Sequence, residues 1–123
     1  MRRVLVADDD SDIRMLAQMS LTRVGGYDVV AVGSGAEALE RLATWRPDAV
    51  ILDVRMRDMD GPSALRRLRA DESTCEIPVV FLTAGRCRSE TVPLHRLDAQ
   101  GVLVKPFDPM RMPHELAEML GWS

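Results

Sequence analysis

The chain has 123 residues, 46% of them hydrophobic and 28% charged, which suits one globular domain with a real core and leaves no room for a second. Its net charge of -3 and pI near 5.3, with the arginines spread along the chain, offer no basic field to a nucleic-acid backbone, so no direct nucleic-acid partner is expected. No apolar run approaches the ~18 residues of a membrane span, and the opening MRRVLVADDD turns acidic too early for a signal peptide, so a cytoplasmic protein without membrane contact is expected.

The first predicted element is a strand over residues 3–7, RVLVA, apolar without alternation as in a strand buried on both faces of a parallel sheet. It runs into Asp8, Asp9 and Asp10, and Asp10 or Ser11 caps a helix whose stripe is Ile13, Leu16, Ala17, Leu21 and Val24, closed by Gly25-Gly26. A strand over 28–32 leads to a helix capped by Ser34, with Ala36, Leu39, Leu42 and Ala43 as its apolar positions. A third strand, 48–52, is followed by Asp53, then by a loop with Arg55, Arg57 and Asp58. Gly61-Pro62 opens the next helix, which buries Ala64, Leu65 and Leu68. The fourth strand, 78–82, ends at Thr83-Ala84, and the fifth, 101–104, at Lys105-Pro106. The helical patterns after these two are broken by Pro93 and Pro113, so each helix starts late or kinks; the last carries Met112, Leu116, Met119 and Leu120. Strict alternation of strand and helix makes the fold α/β with right-handed crossovers. Cys75 and Cys87 are not spaced as a metal or redox motif and read as free thiols. His95 and His114 read as surface residues, and the eight methionines with Trp45 and Trp122 as core filler and helix-end packing.

In an open parallel sheet ligands bind beyond the carboxyl ends of the strands. The residues there are Asp8, Asp9 and Asp10, Asp53, Thr83 and Lys105, the one lysine beside fifteen arginines. Each has an ordinary use alone, as a cap, a turn residue, a strand-end hydroxyl or a solvated charge. Four strand ends placing complementary groups at one edge do not. Two carboxylates ~4 Å apart repel by ~4 kcal/mol at an effective dielectric near 20, so a cation is required. Oxygen donors without histidine or thiolate favour a hard ion, and a half-open site that keeps waters suits Mg²⁺. Asp9 and Asp53 are expected to ligate it directly, Asp8 directly or through water, with the backbone carbonyl of Arg55 as a further ligand. Such a site beside a hydroxyl and an ammonium has the parts for phosphoryl transfer, and Asp53, on the central strand, is best placed as the nucleophile of an acyl phosphate.

VLVADDD at 4–10, ILD at 51–53 followed by Met59-Asp60-Gly61, FLTA at 81–84 and KPF at 105–107 together resemble the response-regulator receiver domains of two-component signalling, from end to end of residues 1–123. The resemblance implies a three-layer, doubly wound (βα)5 flavodoxin-like sandwich with a five-stranded parallel sheet of order 2-1-3-4-5. It implies that Asp53 takes a phosphoryl group from the phosphohistidine of a sensor histidine kinase or histidine phosphotransfer protein, with Mg²⁺ held by Asp8, Asp9 and Asp53. Thr83 would hydrogen-bond one phosphoryl oxygen, Lys105 would pair with another, and the Lys105–Pro106 bond would be cis. Output would pass to a downstream protein or a fused output domain, with self-catalysed phosphotransfer and autodephosphorylation as the only chemistry.

Four positions depart from the family pattern. Val102 stands where an aromatic switch residue is usual, Arg57-Asp58 where Pro-Gly is common, and Arg55 where acyl-phosphate lifetime is tuned. Pro93 and Pro113 fall on the face receivers commonly use for dimerisation or output, so a standard dimer is not expected. Two alternatives differ in class. A degenerate receiver acting only through protein contact is kept open by Val102, whereas a haloacid-dehalogenase-type phosphohydrolase using Asp8-Asp9-Asp10 lacks the length and cap insertions of such enzymes. A calcium loop is excluded by Ile13 in place of its glycine, and no phosphate-binding Gly-x-x-x-x-Gly-Lys loop is present.

Overall fold

The computed structural model describes residues 1–84 and 98–122. Runs of β-branched and apolar residues form strands β1 (Arg3–Ala7), β2 (Asp28–Val32), β3 (Ala49–Asp53), β4 (Val79–Thr83) and β5 (Gly101–Val104). They pair in parallel in the order β2-β1-β3-β4-β5, which is the expected topology. β3 and β4 are buried along their whole length, which explains why they are apolar without alternation. Both end one residue later than expected, so Asp53 and Thr83 close their strands rather than follow them.

Alternate residues of these strands feed two cores. Leu5, Val50, Leu52, Val79 and Phe81 face α2 (Gly35–Leu42) and α3 (Gly61–Ala70), and Val4, Val6, Ile51, Val80 and Leu82 face α1 (Ser11–Met19) and α4 (Met112–Leu120). Helices therefore cover both faces of the sheet in three layers. Each fully buried Leu, Val or Phe contributes roughly 1.5–3 kcal/mol by leaving water, so the central strands supply much of the stabilising burial.

The helix ends follow the expected chemistry. Asp10 caps α1 by accepting from the amides of Asp12 and Ile13, Ser34 caps α2 through Glu37 N, and Asp60 caps α3 through Ser63 N. Gly25 ends the first helical segment and Gly26 takes the left-handed φ of 73° beyond it. α4 starts late, at Met112, and Pro113 is accommodated in its first turn.

Two helical stripes differ from expectation. Residues 20–24 form a π-helical turn, whose i→i+5 bonding puts more residues in each turn, so the 3.6-residue stripe loses phase. Ala17, Ser20 and Leu21 are buried, while Leu16 and Val24 are exposed. α2 buries Gly35, Ala38 and Leu42, with Leu39 on the flank; Ala36 and Ala43 are exposed, because the helix is rotated about its axis from the expected face. α3 buries Ala64, Leu65 and Leu68 as expected, and α4 buries Met112 and Leu116 while Met119 and Leu120 are partly buried against the same core. The methionines divide: Met56 and Met112 are buried, but Met1, Met15, Met19 and Met110 are exposed, so core filling does not describe them all. Trp45 and Trp122 pack beyond helix ends as expected, Trp122 edge-on to Tyr27, and His114 is on the surface paired with Glu118. Cys75 is a free thiol. The helix expected around Pro93, with Cys87 and His95, lies outside the described residues. No helix among the described residues is long and apolar enough to cross a membrane.

Candidate phosphoacceptor and metal site

The register of the sheet builds the site. Ala7 pairs with Leu52, Asp53 with Leu82 and Thr83 with Val104, so the residues at or just past these positions rise at one edge. Asp8 is fully buried, Asp53 and Thr83 are about as buried as core residues, and Asp9 is half-buried at the mouth. β5 delivers Lys105, whose backbone N–H donates to the Thr83 carbonyl at 2.7 Å, and the following Lys105–Pro106 bond is cis.

Lys105 Nζ stands 2.9 Å from Oδ2 of Asp8 and 3.3 Å from Oδ1 of Asp53. One small ammonium thus bridges two carboxylates, a task for which the wider planar guanidinium is poorly shaped. Burial first, and the neighbouring Asp8 charge second, raise the Asp53 carboxyl while Lys105 opposes both, and the balance stands at about 6. Burial acts to lower the Lys105 value, but the two carboxylates outweigh it and the ammonium is held above its ordinary range.

Asp8 is held from two sides. Its Oδ1 accepts the amide of Asp10 at 2.9 Å, and its carbonyl accepts Arg14 Nη1 at 2.9 Å. The pairing with Lys105 is close in distance but outside hydrogen-bond geometry, so Oδ2 is a buried oxygen that accepts no hydrogen bond among the described residues. Carboxylate oxygens of Asp8, Asp9 and Asp53 lie within 4.8 Å of one another. A buried, underused anionic oxygen in an all-carboxylate cluster fits a hard divalent cation. Arg55 follows Asp53 in the loop, exposed, and Val102 is half-buried against the core below Thr83.

Asp8, Asp9, Asp53 and Lys105 are therefore brought together, with Thr83 at the end of the neighbouring strand, whereas Asp10 turns to cap α1. Two participants escaped sequence reasoning. Arg14 reads as one more polar position on a helix, and only the fold turns it onto the Asp8 carbonyl. Asp58 reads as a loop charge, yet it accepts hydrogen bonds from Gly35 N and Ala36 N at the start of α2. Its charge beside that of Arg57 is a signal, but pairing across more than twenty residues is not encoded locally.

A doubly wound parallel sheet with an acidic triad, a buried hydroxyl residue and a bridging lysine at its carboxyl edge defines a phosphoacceptor receiver, and the family model described as response regulator receiver domain matches residues 4–117. The chain belongs to this family, the response-regulator receiver domains of two-component signalling. It is 32% identical over 120 residues to the chemotaxis protein CheY1 of Helicobacter pylori, covering 97% of each chain. It is 40% identical over 105 residues to the transcriptional regulatory protein PrrA of Mycobacterium tuberculosis, covering 85% of this chain but 44% of that one, so it spans less than half the length of that relative. Among solved structures, the chemotaxis response regulator CheY4 of Vibrio cholerae superimposes with a TM-score of 0.88 at 30% identity, over 97% of this chain and 98% of that one. Neither fold nor family supports the haloacid-dehalogenase reading.

Proposed function

We propose that residues 1–123 act as one receiver domain in which Asp53 accepts a phosphoryl group from the phosphohistidine of a sensor histidine kinase or histidine phosphotransfer protein. The observation that carries this reading is the Lys105 ammonium seated between two buried carboxylates, only one of which closes the central strand. An Asp53 oxygen attacks phosphorus, the P–N bond to imidazole breaks with its electron pair leaving on nitrogen, and an acyl phosphate forms. Asp53 must be ionised to attack, so the residues around it have to offset its raised pKa. Lys105 does so before transfer and then pairs with a phosphoryl oxygen, while the Thr83 hydroxyl donates to another. Asp8, Asp9 and Asp53, with the Arg55 carbonyl, would hold Mg²⁺, which when bound supplies neutralisation of carboxylate and phosphoryl charge.

The switched surface would act on a downstream protein or a fused output domain in the cytoplasm, without direct contact to nucleic acid or membrane. With Mg²⁺ and a small-molecule phosphodonor, intact-mass measurement should show one phosphoryl group gained by the wild type and none by Asp53→Asn. Equal labelling of the two would rule the assignment out. Failure of the wild type to label or to bind Mg²⁺ would instead favour a receiver that works by protein contact alone, the alternative against which the filled site positions argue.

A further inference from the structure

The loop between β3 and α3 is fastened to a helix that lies elsewhere in the sequence. Asp58 accepts from Gly35 N at 3.2 Å with one oxygen and from Ala36 N at 2.9 Å with the other, taking the first two amides of α2. Ser34, the helix's own cap, already takes the amide of Glu37 at 3.0 Å, so Asp58 adds a link between elements rather than replacing a cap. The contact is close: a Cβ on Gly35 would stand 3.1 Å from the Met59 Cβ and 3.2 Å from the Met59 carbonyl oxygen. One residue before Asp58, the Arg57 backbone N–H donates to Asp9 Oδ2 at 3.1 Å. The Arg57 guanidinium extends into solvent with its Nε 3.8 Å from the same oxygen.

We infer that Asp58 is a positioning residue for the cation site: by pinning the β3–α3 loop to the start of α2, it holds the Arg57 amide where it orients the Asp9 carboxylate toward Asp8 and Asp53. The amide holds Oδ2 of Asp9, a residue whose carboxylate belongs to the cluster with oxygens within 4.8 Å of one another. Groups that orient metal ligands matter nearly as much as the ligands themselves. The orienting group here is the backbone N–H of Arg57, not its side chain, which brings a positive charge beside the site. This inference rests on the proposed role of Asp9 as a ligand.

Mg²⁺ binding to the full chain, followed by calorimetry at constant ionic strength, tests it. Asp58→Ala is expected to raise the Kd about 10-fold, whereas Asp58→Asn, whose single amide oxygen keeps one of the two bonds to α2, should weaken binding less than Asp58→Ala. Arg57→Ala keeps the backbone N–H and binds at least as tightly as wild type. Should Asp58→Ala fail to fold, Gly35→Ala displaces Met59 from the same helix end with the carboxylate in place, and it too should weaken binding. A lowered Tm with an unchanged Kd in these two variants would overturn the inference and leave Asp58 a structural tie. Asp9→Ala separates the two claims. Wild-type affinity in that variant removes the assignment of Asp9 as a ligand, while lost affinity there with normal affinity in Asp58→Ala removes only the positioning role.

Discussion

Lys105 and Asp53 are best understood as a pair of opposed perturbations. The folded chain raises the Asp53 pKa from its ordinary 3.8 to about 6, so between those values the native state holds a proton that the unfolded state has released. Stability from this group is therefore full below pH ~3.8 and falls as pH rises through about 6, the native state binding more protons than the unfolded one. At neutral pH the penalty is on the order of 3 kcal/mol, taking ~1.4 kcal/mol for each pKa unit. Asp53→Asn removes the charge with little change of shape, and in metal-free buffer it should be more stable than wild type at pH 7 by ~1–3 kcal/mol, with that margin vanishing near pH 4. Urea unfolding at the two pH values measures it; a variant less stable than wild type at pH 7 would contradict the argument. Lys105 has the opposite sign. Replacing it with Met leaves Asp8 and Asp53 buried without their counter-charge, and a loss of about 3–5 kcal/mol is expected under the same conditions, as for breaking other buried pairs from one side. A loss under ~1 kcal/mol would show that the bridge behaves like an exposed ion pair.

At the scale of elements, the strands were the legible part. β1, β3 and β4 are continuous apolar runs because both their faces are covered, and a polar residue can enter only where cover ends. The same fact that ends a strand thus reveals the site, which is why Asp8, Asp53, Thr83 and Lys105 were all visible in order. The sheet order came from resemblance, since nothing within a strand names its neighbour. Helix faces were less legible. The π-helical turn at 20–24 changes the number of residues per turn without any Pro or Gly inside it to announce the change. Asp58 was seen as an added charge, but its partners on α2 exist only once the loop is folded against that helix. Gly61 shows how closely α3 approaches β3. Its N–H donates to the Val54 carbonyl at 2.9 Å, and an added Cβ would meet the Asp53 carbonyl oxygen at 2.7 Å and the Val54 Cα at 3.1 Å. Those neighbours are backbone and cannot swing aside, so Gly61→Ala should cost ~1–3 kcal/mol by overpacking and move the base of Asp53. Chemical denaturation reads the first effect and the phosphodonor labelling rate the second; a variant that matches wild type in both would show that the loop yields freely.

For the molecule as a whole, the sheet edge concentrates an imbalance that the rest of the chain does not share. Among the described residues three carboxylates meet one enclosed ammonium, and the Arg57 guanidinium stands exposed at the rim beside Asp9, so the interior of the cluster keeps an excess of negative charge, in a protein whose total is -3. Such a site opposes folding until a cation enters, so Mg²⁺ should stabilise the native state specifically. At a concentration 100 times its Kd, the gain is about 2.7 kcal/mol if the unfolded chain does not bind it. For a domain of this size that corresponds to a rise in Tm of about 10 °C. Chelation should reverse it, and Asp9→Ala should reduce it to a small fraction while leaving the sheet intact. The control is sodium chloride at matched ionic strength, because general screening acts on every exposed charge, whereas a bound divalent ion acts where the three carboxylates meet. If both salts raise Tm equally, the cluster is screened rather than occupied by a bound ion.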